Sequence, residues 1–196
     1  MDNTISVICL AAGLSRRMGG DKLLLPFRGK PFLQHAVDLM VKLPVHERIL
    51  VTTEARLESI LLPPGIRALV NFEPEKGQSG SVRIGVESAT GSWYLFITAD
   101  MPLLSASDLA SLLGAVTQGN GNCMNRIMYP VINGKPSAPS LFSASFRTEL
   151  LAVTGDAGGR LVRDAHPDMC EWFTPECPGN FLDVDDVEDY EALVTI

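Results

Sequence analysis

The residues best suited to chemistry lie together in one short stretch of the sequence, Ala11 to Lys22. It reads Ala-Ala-Gly-Leu-Ser-Arg-Arg-Met-Gly-Gly-Asp-Lys and contains three glycines, two adjacent arginines and a lysine. Glycine lets backbone N–H groups approach a ligand closely, and a turn that also carries cations suits a polyanion. The stretch therefore predicts a binding loop for a phosphate chain, although a solvated surface turn would have the same composition.

The spacing of this loop separates it from two common phosphate-binding motifs. A P-loop has four residues between its glycines and a Lys-Ser/Thr pair after the second glycine. Here five residues separate Gly13 from Gly19, and Leu23 follows Lys22. The G-x-G-x-x-G pattern of dinucleotide-binding folds is absent as well. The loop therefore belongs to neither class.

The segments around the loop predict an alternating α/β domain. Ile5 to Leu10 is a short apolar run rich in β-branched residues, so we expect a strand that delivers the loop. Hydrophobic patterning predicts further strands at 48–53, 66–71, 93–98, 128–132 and 139–142, and helices at 31–40, 54–62, 79–89, 105–116, 145–153, 158–165 and 187–194. Such alternation indicates a three-layer α/β/α domain with a mostly parallel, Rossmann-like sheet. The turn Asn133-Gly134 predicts a β-hairpin, which nearby prolines assign to the edge of the sheet.

A second group of polar residues follows the expected strand at 93–98. Asp100 comes directly after this strand, and ligands of parallel α/β sheets bind at the carboxyl ends of strands. Asp100 and the Gly13 loop should therefore meet in one crevice, although an aspartate can simply end a strand. Gln78, Ser79 and Ser81 lie in a polar loop before a helix, where they suit ligand contacts or helix capping.

Composition narrows the class of protein. The 196 residues, 46 % hydrophobic and 20 % charged, suit one globular domain, and a net charge of −7 argues against nucleic acid as a partner. No apolar run reaches the length needed to span a bilayer, and the start Met-Asp-Asn lacks the basic region of a signal peptide. We therefore expect a cytoplasmic protein without a membrane partner. The cysteines form neither a CxxC pair nor a metal-ligand pattern; they are Cys9, Cys123, Cys170 and Cys177.

The opening loop resembles that of a known enzyme family. Leu10-Ala11-Ala12-Gly13-x-Ser15-x-Arg17-Met18-Gly19-x-x-Lys22-Leu23 is similar to the signature loop of nucleotidyltransferases with the nucleotide-diphospho-sugar transferase type fold. The segment from Ser15 to Pro26 is similar, more narrowly, to the molybdenum cofactor cytidylyltransferases and guanylyltransferases. Members that use CTP more often carry Ala-Ala-Gly, and members that use GTP more often carry Ala-Gly-Gly. Ala12 therefore implies CTP as the donor.

Three later segments resemble further motifs of this family, in the same order. Residues 99–104 resemble its metal-binding Asp-x-Pro motif, and residues 155–160 its Gly-Asp-x-Gly-x-Arg segment near the acceptor. Residues 182–190 resemble its closing segment, whose second aspartate lies at the metal. The resemblance implies one nucleotidyltransferase domain over 1–196, with a nucleotide-binding part at 1–105 and an acceptor-side part at 106–196.

The resemblance also implies an activity and a set of roles. The activity is Mg²⁺-dependent transfer of CMP from CTP to the phosphate of the molybdopterin that holds molybdenum, with release of pyrophosphate. Arg17, Lys22 and Asp100 would be catalytic, and Asp100 and Asp185 would bind the metal. Nucleotide binding would involve Leu10, Ala11, Ala12, Gly13, Ser15, Gly19, Gln78, Ser79 and Ser81. Acceptor binding would involve Asp156, Gly158 and Arg160. The implied partners are CTP or GTP, the molybdopterin cofactor and a molybdenum hydroxylase that receives the product.

Two positions depart from the family pattern, and three alternatives stay open. Ala138 stands where relatives often carry the histidine of a Gly-His-Pro sequence, on the acceptor side, and Asp186-Val187 replaces a Thr-Pro pair without removing Asp185. Asp186 or Asp189 would then cap the last helix, and Asp156 with Arg160 could form an ordinary ion pair. The alternatives are a guanylyltransferase, a nucleotidyltransferase for another phosphorylated acceptor, and a non-catalytic protein that binds the cofactor for molybdenum enzymes.

Overall fold

The computed structural model describes residues 3–15, 18–118 and 126–195. Strands in these ranges are β1 (Ile5–Ala11), β2 (Pro26–Phe27), β3 (Lys30–Pro31), β4 (Glu47–Thr52), β5 (Ile66–Val70), β6 (Trp93–Thr98), β7 (Ile127–Ile132), β8 (Lys135–Pro136), β9 (Ser140–Ser143) and β10 (Cys170–Phe173). The helices are α1 (Phe32–Lys42), α2 (Glu54–Leu57), α3 (Gln78–Ser88), α4 (Ala110–Gln118), α5 (Arg147–Ala152), α6 (Arg160–Ala165) and α7 (Val187–Val194).

The main sheet has the strand order β10-β7-β9-β6-β1-β4-β5, and β8 pairs with β7 outside this path. Strands β6, β1, β4 and β5 are parallel to one another, whereas β9 runs antiparallel to both of its neighbours. β2 and β3 form a separate two-stranded ribbon. The predicted mostly parallel sheet is therefore confirmed.

Helices cover both faces of this sheet because each central strand is apolar on both sides. In β1, Val7 and Cys9 point into a core shared with α1, α4 and α7. Ile8 points to the opposite face, into a core shared with α3, α5 and α6. All three side chains are fully buried. This alternation produces the predicted three layers.

The strand register places three chain segments at one edge of the sheet. Leu10 of β1 pairs with Thr98 of β6, and Ala11 of β1 pairs with Thr52 of β4. The loop after β1, Asp100 after β6 and helix α2 after β4 therefore emerge side by side. This is the edge at which parallel α/β sheets bind ligands.

The hairpin prediction was correct in its turn and wrong in its position. Asn133 and Gly134 both have positive φ, as a two-residue hairpin turn requires, and they connect β7 to β8. However, β7 and β9 lie inside the sheet, and β10 forms the edge. The prolines do not prevent pairing between β7 and β9. The two strands pair only at residues 127 and 128 of β7, before Pro130, and β9 begins after Pro139.

Two predicted helices are shorter than their sequence patterns. The helix expected at 54–62 ends at Leu57, because the Gln34 carboxamide accepts from the backbone N–H of Leu61 and donates to its carbonyl. The helix expected from residue 105 begins at Ala110, because the Asp108 carboxylate accepts from Ser105 and holds that segment in a turn. In both cases a side chain satisfies the backbone groups that a helix would have used.

Other sequence predictions hold or lie outside the described ranges. The helices expected at 145–153 and 158–165 have regular cores at 147–152 and 160–165. Cys9, Cys170 and Cys177 are free thiols, whereas Cys123 and most of the loop expected at 118–125 fall outside the described residues. Among the helices described, none is long and apolar enough to cross a membrane.

Helix α3 packs closely on β1, and Gly85 permits this approach. A Cβ atom at Gly85 would lie 2.5 Å from Cγ2 of Ile8, which is itself fully buried. We predict that Gly85→Ala lowers the free energy of unfolding by about 1 to 2 kcal/mol, because overpacking outweighs the higher helix propensity of alanine. Urea unfolding of the variant measures this change.

Gly179→Ala is the matched control for this substitution, since a Cβ at Gly179 meets nothing within 4 Å. It should change the unfolding free energy by less than about 0.5 kcal/mol. Equal stability of the two variants would show that α3 can move away from β1 at little cost.

Candidate functional site

The ammonium group of Lys22 lies at the centre of the site. Its Nζ atom donates to Oδ2 of Asp100, Oδ1 of Asp185 and the carbonyl of Val184, each at 2.9 Å. Burial of Lys22 opposes its charge, but the attraction of Asp100 and Asp185 outweighs burial and raises the pKa of Lys22. Lys22 is therefore cationic at neutral pH, and its charge holds the two carboxylates together.

The two carboxylates reach Lys22 from distant parts of the chain. Asp100 follows β6, and its carbonyl accepts a hydrogen bond of 3.0 Å from the amide of Val184, which fixes the segment before α7 against the end of β6. Asp186 caps α7 through a reciprocal capping box with Asp189, as the sequence suggested. Asp186 is thus engaged with the helix, whereas the preceding Asp185 accepts from Lys22.

Arg56 of α2 fixes the glycine loop from behind. Its guanidinium donates to the carbonyls of Ala11 and Gly13 at 2.6 and 2.7 Å and to Oδ2 of Asp21 at 2.7 Å. The other Asp21 oxygen accepts from the amide of Leu23 and caps a 3₁₀ turn over Lys22–Leu24. Arg56 is only 4 % exposed. One buried guanidinium thus connects the loop to the turn that carries Lys22.

Two buried polar atoms at this site have no hydrogen-bond partner in the described part of the chain. They are Oγ of Ser15 and Oδ1 of Asp100. Ser15 also has a φ of 48°, a left-handed conformation that is uncommon outside glycine. Because buried polar atoms are normally satisfied, and strained residues concentrate at functional sites, these atoms suit a polar ligand.

Two adjacent cavities meet at this edge of the sheet. The first has a volume of about 460 Å³ and is lined by Leu10, Ala12, Gly13, Leu14, Ser15, Lys22, Leu23, Pro74, Glu75, Gly77, Gln78, Ser81, Thr98, Ala99, Asp100, Asp156 and Asp185. The second has a volume of about 380 Å³ and is lined by Leu10, Gln78, Val82, Phe96, Thr98, Asp100, Met101, Pro136, Ser137, Ala138, Ser140, Phe142, Asp156, Ala157, Gly159, Arg160, Arg163 and Asp183. Asp100, Gln78 and Asp156 line both cavities, so two ligands would meet at these residues.

Two glycines allow the start of α3 to contact the segment at 155–159. Gly77, with a φ of +93°, caps α3 through its backbone, and a Cβ there would lie 2.5 Å from Oδ1 of Asp156. Gly158 has a φ of +50°, and a Cβ there would collide with the side chain of Gln78. These contacts bring the predicted nucleotide side and acceptor side together.

Most of the site residues predicted from the sequence line one of the two cavities. The predicted residues in the first cavity are Leu10, Ala12, Gly13, Ser15, Lys22, Gln78, Ser81, Asp100, Asp156 and Asp185. Arg160 lines the second cavity. Ala11 and Ser79 are buried, Gly158 packs beneath Gln78, and Gly19 lines neither cavity. Arg17, predicted to be catalytic, lies outside the described residues.

Two alternative readings of these residues are wrong. Ser79 and Ser81 do not cap α3, because Gly77 does so, and the Ser81 hydroxyl instead accepts from Asn71 at 3.1 Å. Asp156 and Arg160 are not among the ion pairs formed by the described residues. Both side chains are therefore available to the cavities that they line.

The carboxylates suit a divalent cation that also binds a substrate. Asp100 and Asp185 point at one position, and Oδ1 of Asp100 is a buried oxygen without a partner among the described residues. Within the same ranges, no group of three or more His, Cys, Asp or Glu side chains is placed to hold a metal. Mg²⁺ commonly binds to one or two carboxylates and completes its shell with substrate phosphates and water. The donor set fits such an ion.

Asp183 adds a carboxyl group beside Asp100 and Asp185. It lines the second cavity. Burial, followed by repulsion from Asp100 and Asp185, raises the pKa of Asp183. A cation near these carboxylates would relieve this repulsion.

Comparison with known proteins identifies the family. The sequence model of the MobA-like NTP transferase domain matches residues 7–169. The chain belongs to this family. MobA-like domains are nucleotidyltransferases, and the matched residues include the glycine loop, Lys22 and Asp100.

Relatives that are similar to this MobA-like chain are named as different kinds of enzyme. A probable molybdenum cofactor guanylyltransferase from Rhodopirellula baltica is 37 % identical over 114 residues, which are 55 % of this chain and 54 % of the relative. The match thus spans about half the length of that relative. The nicotine blue oxidoreductase of Paenarthrobacter nicotinovorans is 27 % identical over 200 residues, covering 97 % of this chain and 96 % of the relative.

Solved structures share the fold of this chain. A mycobacterial homologue of the Mycobacterium tuberculosis protein Rv0371c has a TM-score of 0.80 at 23 % identity, covering 100 % of this chain and 97 % of the other. Rv0371c in complex with manganese has a TM-score of 0.78 at 21 % identity and covers 98 % of both chains. At these identities the likeness shows the fold alone.

Removal of the Lys22 ammonium should destabilise this MobA-like domain. Lys22→Met leaves Asp100 and Asp185 close together without the cation that they share. We predict a loss of about 1 to 3 kcal/mol in the free energy of unfolding, measured in urea, because hydrogen bonds to charged groups are lost. Mn²⁺ should restore more stability to this variant than it adds to the unmodified protein, since a divalent cation can neutralise both carboxylates.

Lys30→Met is the control, because Lys30 is half exposed and its ion pair with Asp38 joins β3 to α1 outside both cavities. That pair should contribute less than about 1 kcal/mol. If Lys22→Met were no less stable than Lys30→Met, Lys22 would not hold the carboxylates together.

Proposed function

We propose that this MobA-like nucleotidyltransferase transfers CMP from CTP to the phosphate of molybdopterin carrying molybdenum. One observation carries the proposal: the Lys22 ammonium joins Asp100 and Asp185 at the floor of a cavity lined by the glycine loop. The family assignment supports nucleotidyl transfer as the reaction class. The base, the acceptor and the individual residue roles belong to the proposal.

The proposed reaction is an in-line substitution at the α-phosphorus of CTP. An oxygen of the acceptor phosphate attacks this phosphorus and forms a new P–O bond. The bond from the α-phosphorus to the bridging oxygen breaks, and pyrophosphate leaves with the electron pair. Because both reactants are anions, the protein has to position them and neutralise charge, and it needs no covalent intermediate.

The chain supplies cations and backbone donors for this reaction. Lys22 lines the first cavity beside the glycine loop, where its positive charge can attract a triphosphate. The amides from Ala12 to Ser15 and the Ser15 hydroxyl supply uncharged donors on the same side. Arg17 belongs to the same loop in the sequence and is assigned to the phosphates on the family resemblance.

Asp100 and Asp185 would hold Mg²⁺ in this proposal. The family resemblance and the buried oxygen of Asp100, which has no partner among the described residues, support this assignment. The manganese complex of the structurally similar Rv0371c adds support for a divalent cation. When bound, the ion would neutralise the triphosphate and the leaving pyrophosphate.

The second cavity is the proposed acceptor site. Arg160 and Arg163 line it and provide positive charge for a phosphorylated acceptor. Ala138 also lines it, so the position at which relatives often carry histidine borders this cavity. Asp100 lines both cavities, as expected if the acceptor phosphate and the triphosphate meet there. A molybdenum hydroxylase would then receive the product.

Ala12 supports cytosine as the base, whereas a relative supports guanine. Ala12 is 2 % exposed and lines the first cavity, so its methyl group takes space that glycine would leave to a larger purine. The guanylyltransferase name of the Rhodopirellula baltica relative favours GTP. Guanylyl transfer is therefore the second candidate function.

A nucleotide panel tests the base. With Mg²⁺ and molybdenum-loaded molybdopterin, we expect CTP to give the highest kcat/KM for pyrophosphate release. Ala12→Gly should raise the preference for GTP over CTP by about tenfold, the scale of discrimination by pocket size. Equal use of GTP by the unmodified protein would overturn the preference for cytosine, and faster use of GTP would favour guanylyl transfer instead. Tight cofactor binding without turnover of any nucleotide would indicate a non-catalytic carrier.

Substitution of Asp100 tests the metal role. Asp100→Asn keeps the side-chain shape but removes the charge that faces Lys22 and the proposed ion. We expect kcat/KM to fall about 10³-fold, as for loss of an essential electrostatic group, while the far-UV circular dichroism spectrum stays unchanged. Asp38→Asn, on α1 and remote from both cavities, should retain near-normal turnover. Near-normal turnover in Asp100→Asn would remove Asp100 from the catalytic machinery.

A further inference from the structure

We infer that Arg56 is a positioning residue that turns two amides of the glycine loop toward the phosphates of the nucleotide. This inference rests on the proposed function, because it assumes that the first cavity binds a nucleoside triphosphate. Arg56 itself lines neither cavity. It acts through the backbone of the glycine loop, which lines the first cavity.

The contacts of Arg56 fix the directions of two peptide groups. In a trans peptide, the carbonyl of one residue and the N–H of the next point in opposite directions. The carbonyls of Ala11 and Gly13 both point at the Arg56 guanidinium. The N–H groups of Ala12 and Leu14 must therefore point away from Arg56, on the side of the loop opposite to α2.

These two amides are well placed to bind a ligand. Ala12 and Leu14 both line the first cavity. Neither N–H donates to any acceptor in the part of the chain that the structure describes. Ala12 is 2 % exposed, and a buried N–H without an acceptor costs free energy that a phosphate oxygen can recover. The loop thus presents two donors prepared for an anion.

Arg56 is suited to this task by its fork of donors and its surroundings. Three of its N–H groups bond to three different acceptors, all within 2.7 Å, and its side chain is 5 % exposed. Thr52 also donates to the Ala11 carbonyl at 3.0 Å, but it does not reach Gly13. A lysine at position 56 could keep the charge, but its single ammonium lacks the planar fork that holds both carbonyls and Asp21.

The same guanidinium sets the position of Lys22. Arg56 holds one oxygen of Asp21, and the other oxygen caps the turn that carries Lys22. The loop amides and the ammonium are therefore oriented by one buried group. A displacement of Arg56 would therefore disturb both the loop amides and the Lys22 ammonium, the two kinds of group assigned to the phosphates.

The test compares Arg56→Lys with Arg48→Lys. Arg48 also donates to two backbone carbonyls, those of Met40 and Leu43, but it lies at the opposite end of β4 from the site. Binding of CTP and GTP with Mg²⁺ is measured by calorimetry, and binding of cytidine and guanosine by ligand-observed NMR. No acceptor is required, so the readout is independent of turnover.

We expect Arg56→Lys to bind the preferred triphosphate about 10- to 100-fold more weakly, the range for loss of hydrogen bonds to a charged group. Its affinity for the nucleoside should stay within about twofold, because the nucleoside lacks the phosphates that the amides contact. Arg48→Lys should leave both affinities unchanged. Asp21→Asn should weaken triphosphate binding in the same direction and serves as the test if Arg56→Lys does not unfold cooperatively.

Three other outcomes would be decisive. Normal triphosphate affinity in Arg56→Lys, or in Asp21→Asn if the first variant does not fold, would overturn the inference. Equal losses for the triphosphate and the nucleoside would also overturn it, because they would indicate a general structural role. If the unmodified protein bound no triphosphate, the proposed function would fail, independently of the role of Arg56.

Discussion

The arrangement of the site depends on one cation, the ammonium of Lys22, shared by two carboxylates from different parts of the chain. Asp100 and Asp185 would repel each other if that charge were removed, and the segment before α7 would lose a contact with the end of β6. The pair is stable because Lys22 is partly buried and each of its three N–H donors has an acceptor. The contact that organises the folded site thus also brings together the charges to which the proposed nucleotidyl transfer is assigned.

The sheet explains why these groups meet. Because β6, β1 and β4 are parallel neighbours in register, the three segments that follow them emerge at the same edge. Asp100 follows β6, the glycine loop follows β1, and Arg56 follows β4. The antiparallel strand β9 and the hairpin before it then build the second cavity beside the first. The second cavity is thus added to one flank of the parallel part of the sheet.

Local patterns in the sequence predicted much of this structure. The apolar runs of β1 and β6, the polar loop between β1 and α1, and the meeting of that loop with Asp100 at one edge of the sheet could all be predicted, because each follows from adjacent residues or from the geometry of a parallel sheet. The limits of α2 and α4 could not, because the Gln34 and Asp108 side chains bind backbone groups that only the folded chain brings to them. Arg56 was missed for the same reason: as an arginine on a four-residue helix it looks like an ordinary solvated side chain.

The distance along the chain between Lys22 and Asp185 has a consequence for biosynthesis. The two residues are separated by 163 positions, and the amide of Val184 fixes the later segment to the end of β6. During translation, the glycine loop and Asp100 leave the ribosome long before Asp185 does. A nascent chain that has already folded its first strands therefore still lacks one of the two carboxylates, and the complete charge arrangement arises only late in synthesis.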